Sequence, residues 1–372
     1  MRTICTDLSS TAFAGRAEAF HALHRATDSR LFAHNLHTKV TLLRSGDYAL
    51  PVTVNDAEQG NAWVCSARTT YADYAREELE RNLHPIAAVP LGLVCLAYAQ
   101  VLDRAAIDRA VALNNWLLST NIYPALDRAR LADLVQQARR CWPRHALWFR
   151  SLNGRLNQDW MAALSALGFC MVPSRQVYLF DDLRSQVKRH QNLRRDLQLL
   201  RTTPLSRTDG SDFTPLDYQR TEALYGKLYL DKYSTLNPQY TARFIERWHT
   251  AGLLRIQGFR DAAGMLQAVV GMFEQEAILT APIVGYDTAL PQSLGLYRLL
   301  MASVFEQAMA SGSIVNLSAG AAHFKRLRGG TPAIEFSAVL ASHMPWPTRC
   351  AVAVLSNLTT RIGVPIMQRL KL

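Results

Sequence analysis

LLRIQGFR (residues 253–260), MLQAVVGMF (265–273) and AILTAPIVGY (277–286) follow one another with only short polar breaks between them. Each run is rich in side chains that suit a pleated, half-buried surface. The first break, Asp261-Ala-Ala-Gly264, is a four-residue turn closed by glycine; the second is Glu274-Gln275-Glu276. Three such runs predict an antiparallel meander. The period then changes. Between residues 293 and 310, apolar side chains fall at Leu296, Leu299, Leu300, Val304 and Phe305, the spacing of a helix with one face in a core. Beyond Ser311-Gly312, residues 314–318 read as a short strand. Residues 323–328 read as a short basic helix or turn stopped by Gly329-Gly330, and 333–341 as a last strand.

Strand, strand, strand, helix, strand, short helix, strand is the order of the acyltransferase fold called GNAT. SLGLYRLL (293–300), NLSAGAAHFKRLRGG (316–330) and PAIEFSAV (332–339) resemble the Fem-like and BioF2-like branch of these acyltransferases. The arginine-rich VKRHQNLRRDLQLLR (187–201) resembles the first helix of that branch. The resemblance spans residues 177–342, under half the chain. It implies an α/β (α+β) protein with a mixed, mostly antiparallel GNAT-type sheet flanked by helices. Fem-like proteins carry two such units, so it also implies two tandem GNAT-like domains.

The rest of the chain is compatible with that layout. Residues 1–15 are small and polar and are expected to fray. Residues 16–32 read as a helix, 39–43 and 48–54 as a hairpin around Ser45-Gly46-Asp47, and 61–66 as a strand. Residues 71–83, 104–117, 126–140 and 158–167 read as helices, the last capped by Gly168. Residues 145–151 and 171–179 read as strands. Strand, helix, strand before residue 180 suits a degenerate first copy of the same layer. The expected division is 1–178, 179–345 and a C-terminal amphipathic tail, 346–372, interrupted by Pro365. That tail either covers the second domain or lies on an anionic membrane. Residues 184–201 present cations on one helical face, which either clamp a phosphate or carboxylate or are simply solvated. Tyr225, Tyr229 and Tyr233 form a stripe at helical spacing, and a helix is expected from Asn237-Pro238 through Trp248.

Composition narrows the class. The chain has 372 residues, 49% of them hydrophobic, and a mean hydropathy of −0.04. This suits a globular protein with a sizeable core. No run approaches the roughly 18–20 apolar residues of a membrane helix. The most apolar stretch, 86–101, contains Pro90 and Gly92 and reads as too short, so no integral span is expected. No signal peptide is evident. Cys5, Cys65, Cys95, Cys141, Cys170 and Cys350 lack paired spacing, and His21, His24, His34 and His37 lack a completing carboxylate or cysteine. Neither a metal site nor a disulfide framework is expected, and the cytoplasm is the default location. The net charge of +11 favours anionic partners, although an arginine-rich composition accounts for it equally.

The resemblance also implies site residues. In GNAT proteins the turn after the fourth strand offers free N–H groups and the positive end of a helix to the pyrophosphate of acyl-CoA. Here that turn holds Gln292 and Gly295, but Tyr297 stands where a small residue belongs and would crowd a phosphate. A Fem-like donor, aminoacyl-tRNA or an acyl group on a carrier protein, then fits better than acetyl-CoA. Asn316 and Ser318 would line the donor cleft on the fifth strand, with Ser318 equally readable as a helix cap. Lys325 and Arg328 would neutralise phosphate or carboxylate, or be surface charge; Lys325 could also stabilise an oxyanion. The attacking amine must be neutral, so a proton acceptor is needed. Tyr286 and Asp287 rank first for this role, ahead of Glu274, Glu276 and Glu335. No nucleophile elbow, Walker loop or zinc-protease motif is present, which disfavours covalent serine catalysis and zinc hydrolysis. The expected activity is N-acyl transfer from an activated acyl donor to a small amine-bearing substrate. A non-catalytic nucleic-acid-binding module and a pseudoenzyme partner in a biosynthetic assembly are its rivals.

Overall fold

In the computed structural model, described over residues 3–370 and in side-chain detail from residue 11, the chain begins with helix α1 (Thr3–His24). The start expected to fray is therefore helical from Thr3; residues 1 and 2 lie outside the described residues. Strands β1 (Lys39–Ser45) and β2 (Tyr48–Asp56) form the expected hairpin. Residues 61–66 are turns rather than a strand. Helices α2 (Tyr74–Asn82) and α3 (Pro85–Arg104) follow, then β3 (Arg109–Leu113), α4 (Arg128–Cys141), β4 (Ala146–Asn153), α5 (Gln158–Ala166) and β5 (Cys170–Phe180).

Two expectations fail here. The helix expected over 104–117 belongs earlier in the chain, and its place is taken by β3. The apolar stretch read as too short to span a membrane is α3, a continuous 20-residue helix long and apolar enough to cross one by length and composition. Pro85 starts it, where a missing N–H costs nothing, and Pro90 sits inside it without breaking it.

The second half opens with α6 (Leu183–Arg189) and α7 (Gln191–Thr202), expected as one helix but split at His190. It continues with β6 (Ser206–Asp209), α8 (Pro215–Tyr225) and α9 (Ala242–Thr250). Then come the expected elements: β7 (Arg255–Arg260), β8 (Leu266–Gln275), β9 (Ile278–Tyr286), α10 (Leu296–Ser311), β10 (Ile314–Asn316), α11 (Ala322–Arg326) and β11 (Thr331–Leu340). Helices α12 (Trp346–Leu358) and α13 (Val364–Leu370) close the chain, joined by one π-helical turn.

Among the described residues, all strands belong to one 11-stranded sheet in the order β1-β2-β3-β4-β11-β5-β10-β9-β8-β7-β6. The order contains a repeat. In each half a strand runs parallel to its successor across a helix: β3 with β4, and β9 with β10. Each half then ends in a long strand, β5 or β11, that pairs antiparallel with the other half. β5 lies against β10, β11 lies against β4, and the two pair with each other at the centre. The halves thus exchange their final strands. Three apolar clusters result among the described residues. One spans the first half and α8 and α9, a second fills the space under α10, and a third lies between the sheet, α3 and α12.

Candidate functional site

β9 and β10 pair only over Ile278–Thr280 and Ile314–Asn316. β9 runs on to Tyr286, while the chain beyond Asn316 turns away to β5, exchanging hydrogen bonds between Leu317 N and Tyr178 O and between Tyr178 N and Ser318 O. Residues 281–286 are therefore left without a strand partner on that side. An unpartnered edge inside a sheet leaves backbone donors and acceptors that an extended ligand can use.

Beyond β10 comes the turn into α11. It is tightly wound, with Ser318, Gly320 and Ala321 all at positive φ (59°, 77° and 46°). Lys325 fastens it. Its buried Nζ donates to the carbonyls of Leu317 (2.8 Å), Ser318 (3.1 Å) and Ala319 (2.8 Å). Burial, assisted by Arg175, pulls the Lys325 pKa down to about 7. Three carbonyl dipoles at hydrogen-bond distance act the other way and favour the ammonium. All three donors of the ammonium are engaged, which makes Lys325 the clasp of the turn. Asn316 is also buried, and its Oδ1 accepts from the Ser318 N–H at 2.9 Å.

A second set of contacts joins α7, α10 and the α11 segment. Asp196 on α7 is wholly buried and accepts from Arg298 Nε at 2.7 Å and from Arg328 Nε. Arg328 also lies 3.4 Å over the ring of Phe324. Phe324 packs edge-on to Tyr297 at 4.8 Å, and Tyr297 lies 6.3 Å from Tyr286. Burial pushes the Tyr297 hydroxyl well above its usual range, so it stays neutral and can only donate or accept hydrogen bonds. Gly295, at φ +61°, heads α10, whose first turn has no side-chain cap. A Cβ there would meet Leu199 Cδ2 at 2.8 Å, so the glycine also admits α7 against α10. Gln292 is exposed.

Of the residues singled out in the sequence, Asn316, Ser318 and Lys325 thus meet in the turn after β10, Tyr297 lies between Tyr286 and Phe324 with Arg328 over Phe324, and Gly295 heads α10. Asp287 does not join them as a base. Lys227 Nζ (2.7 Å) and Arg220 (2.8 Å) hold its carboxylate and lower its pKa to about 2. Such a group binds protons too weakly to take one from an amine near neutral pH. Among the basic residues of α6 and α7, Arg194 is turned back onto the carbonyls of Val187 and Lys188, while Lys188, Arg189, Arg195 and Arg201 are exposed. The early histidines do not converge: His24 is buried against Phe20 and Phe32 and accepts from Trp248 Nε1.

Of a second polar centre, sequence reading named only Glu335, as a lower-ranked proton acceptor. Arg175, Glu335 and Asn153 face one another across β5, β11 and β4, with Arg175 Nε 2.7 Å from Glu335 Oε1. Arg150 and Arg175 lie over Trp63, at 5.0 and 4.7 Å from its ring centre. Glu335 Oε2 and Asn153 Nδ2 are buried without partners. Charged letters inside apolar strand runs were its only signal. A cleft of about 480 Å³ lies nearby, lined by Glu77, Glu80 and Arg81 of α2 with Tyr233, Ser234 and Thr235. The tyrosine stripe leads inward from it, Tyr233 to Tyr229 to Tyr225, at 6.2 and 4.8 Å.

These features define a GNAT-type fold with two such units in one sheet. Among solved structures, the chain is similar to the C-terminal domain (DUF2156) of a protein from Agrobacterium fabrum named for lysylphosphatidylglycerol synthesis. The match has 12% identity and a TM-score of 0.53, covering 94% of this chain and 97% of that one. FemX (8% identity, TM-score 0.46, 62% and 80% covered) and a tandem GNAT protein of clavulanic acid biosynthesis (11%, 0.39, 90% and 95%) also match. At such identities the likeness is one of fold. No protein-family model matches the chain, and no curated protein matches it at a significant level.

Proposed function

We propose that the protein is a GNAT-type N-acyltransferase, moving an acyl or aminoacyl group from a thioester or ester donor to an amine. The observation that supports this most is the opening beside β9, where residues 281–286 have no strand partner and the uncapped start of α10 stands alongside. An extended donor arm would hydrogen-bond to that edge. In the reaction the neutral amine attacks the donor carbonyl and the C–S or C–O bond breaks. The amine then loses its surplus proton and the departing thiolate or alkoxide gains one. Tyr286, at the end of the open edge, would relay that proton.

Tyr297 occupies the phosphate turn, which favours aminoacyl-tRNA or an acyl carrier over acetyl-CoA. The exposed cations of α6 and α7 suit either polyanionic donor. A fold relative named for a lysylated lipid agrees with an aminoacyl donor. The same cations also support the second reading, a nucleic-acid-binding module without catalysis.

The test is a panel of acetyl-CoA, long-chain acyl-CoA and charged tRNA, scored by thermal shift and by mass of the acylated amine. A donor at a hundredfold excess over its Kd should stabilise the protein by about 2.7 kcal/mol. Tyr286→Phe should keep that shift and lower turnover at least tenfold. RNA binding with steep salt dependence and no product from any donor would favour the second reading instead.

A further inference from the structure

Helix α3 leaves an apolar half-cylinder uncovered. Its buried residues are Ala88, Gly92, Ala99 and Leu102, all on one side. Ile86 (82% exposed), Val89 (63%), Leu93 (62%), Val94 (54%), Leu96 (45%) and Val101 (44%) stand on the other. At about 100° per residue these span roughly half the helix circumference. No charged residue occurs from 85 to 102. Helix α12 meets the C-terminal half of α3: Tyr98 Oη donates to Ala351 O at 2.7 Å, and Thr348 Oγ1 to Ala105 O at 2.8 Å. Trp346, Val354 and Ile362, on α12 and the turn after it, are exposed as well. Isolated exposed aliphatics are ordinary, but this concentration on two touching elements is not.

The charges around the patch indicate what covers it. No Asp or Glu follows Glu335 in the chain, whereas Arg349, Arg361 and Arg369 are exposed. Several of the acids on α2 and α3 are paired: Asp103 with Arg68 at 3.1 Å, Glu80 with Arg76 at 3.9 Å and Glu78 with Arg81 at 2.5 Å. A seam with a second helix needs a narrow apolar stripe. A half-cylinder of aliphatics with an exposed tryptophan and a cationic rim matches the boundary between acyl chains and anionic headgroups.

We propose that α3 and α12 seat the protein on an anionic phospholipid surface, with α3 lying in the plane of the interface. This is independent of the acyl-transfer reading. The test is flotation of the full chain with vesicles of phosphatidylcholine alone or with about a third phosphatidylglycerol. Wild type should bind the anionic vesicles at least tenfold more than the neutral ones. The pair Ile86→Asp with Leu93→Asp changes exposed positions, so its circular dichroism should match wild type while vesicle binding falls at least tenfold. Arg349→Glu with Arg361→Glu should lower binding to anionic vesicles alone. The proposal is overturned if wild type floats with neither vesicle, or if both compositions bind equally. It is also overturned if the chain forms a dimer that the Ile86/Leu93 pair dissolves without any vesicle binding.

Discussion

Lys325 and Asp287 are both ionisable and both near the opening, yet their surroundings give them structural roles. Lys325→Met would leave three carbonyls of a tight turn without their donor. A loss of about 2–4 kcal/mol is expected, read from urea denaturation. Asp287 is held at a pKa of about 2 mainly by Lys227, below its usual 3.8. A carboxyl depressed in the folded state stabilises the protein above its unfolded pKa, and that contribution disappears as pH falls through the folded one. Between pH 5 and pH 2 the chain should lose about 1 kcal/mol from this group, allowing for solvent screening. Asp287→Asn should flatten that part of the curve. An unchanged acid limb would show that the pair contributes nothing.

Local pattern made most elements legible, because meander, helix and turn signals depend on neighbours in sequence. The helical spacing from Leu296 to Phe305 and the glycines after Arg328 were sufficient for α10 and for the end of α11. β3 was misread because Arg109-Ala-Val-Ala-Leu113 is short and carries alanines that suit either state. The split at His190 has no glycine or proline to announce it. The row of Arg175, Glu335 and Asn153 was illegible as a row for a different reason: its members come from three strands far apart in sequence. The same holds for the roles of Asp196 and Lys325, whose partners are defined only by packing. At this scale one substitution is informative. A Cβ on Gly285 of β9 would lie 2.6 Å from the backbone of Leu224 and Tyr225, so Gly285→Ala should drive α8 off the sheet. A loss above about 3 kcal/mol is expected in thermal unfolding, together with a weaker donor response.

The two halves, though built on one repeated plan, share a continuous sheet whose two central strands each pair with the other half. They should therefore unfold together. Guanidinium denaturation followed by circular dichroism and by tryptophan fluorescence should give coincident transitions, although most chains of this length divide into independent units. Separated transitions would show that the exchanged strands carry little of the coupling.

The exchange also sets a timetable for synthesis. When residue 180 leaves the ribosome, β4 and β5 have been made, but the strand that belongs between them ends only at Leu340. At elongation rates of about 5–20 residues per second the interval is roughly ten to thirty seconds. Throughout it the nascent chain carries two long apolar edges that will accept a strand from any neighbour, including a second nascent copy. Slower translation of the second half or scarce holdase chaperones should raise the yield of intertwined dimers without altering the fold of correctly completed chains.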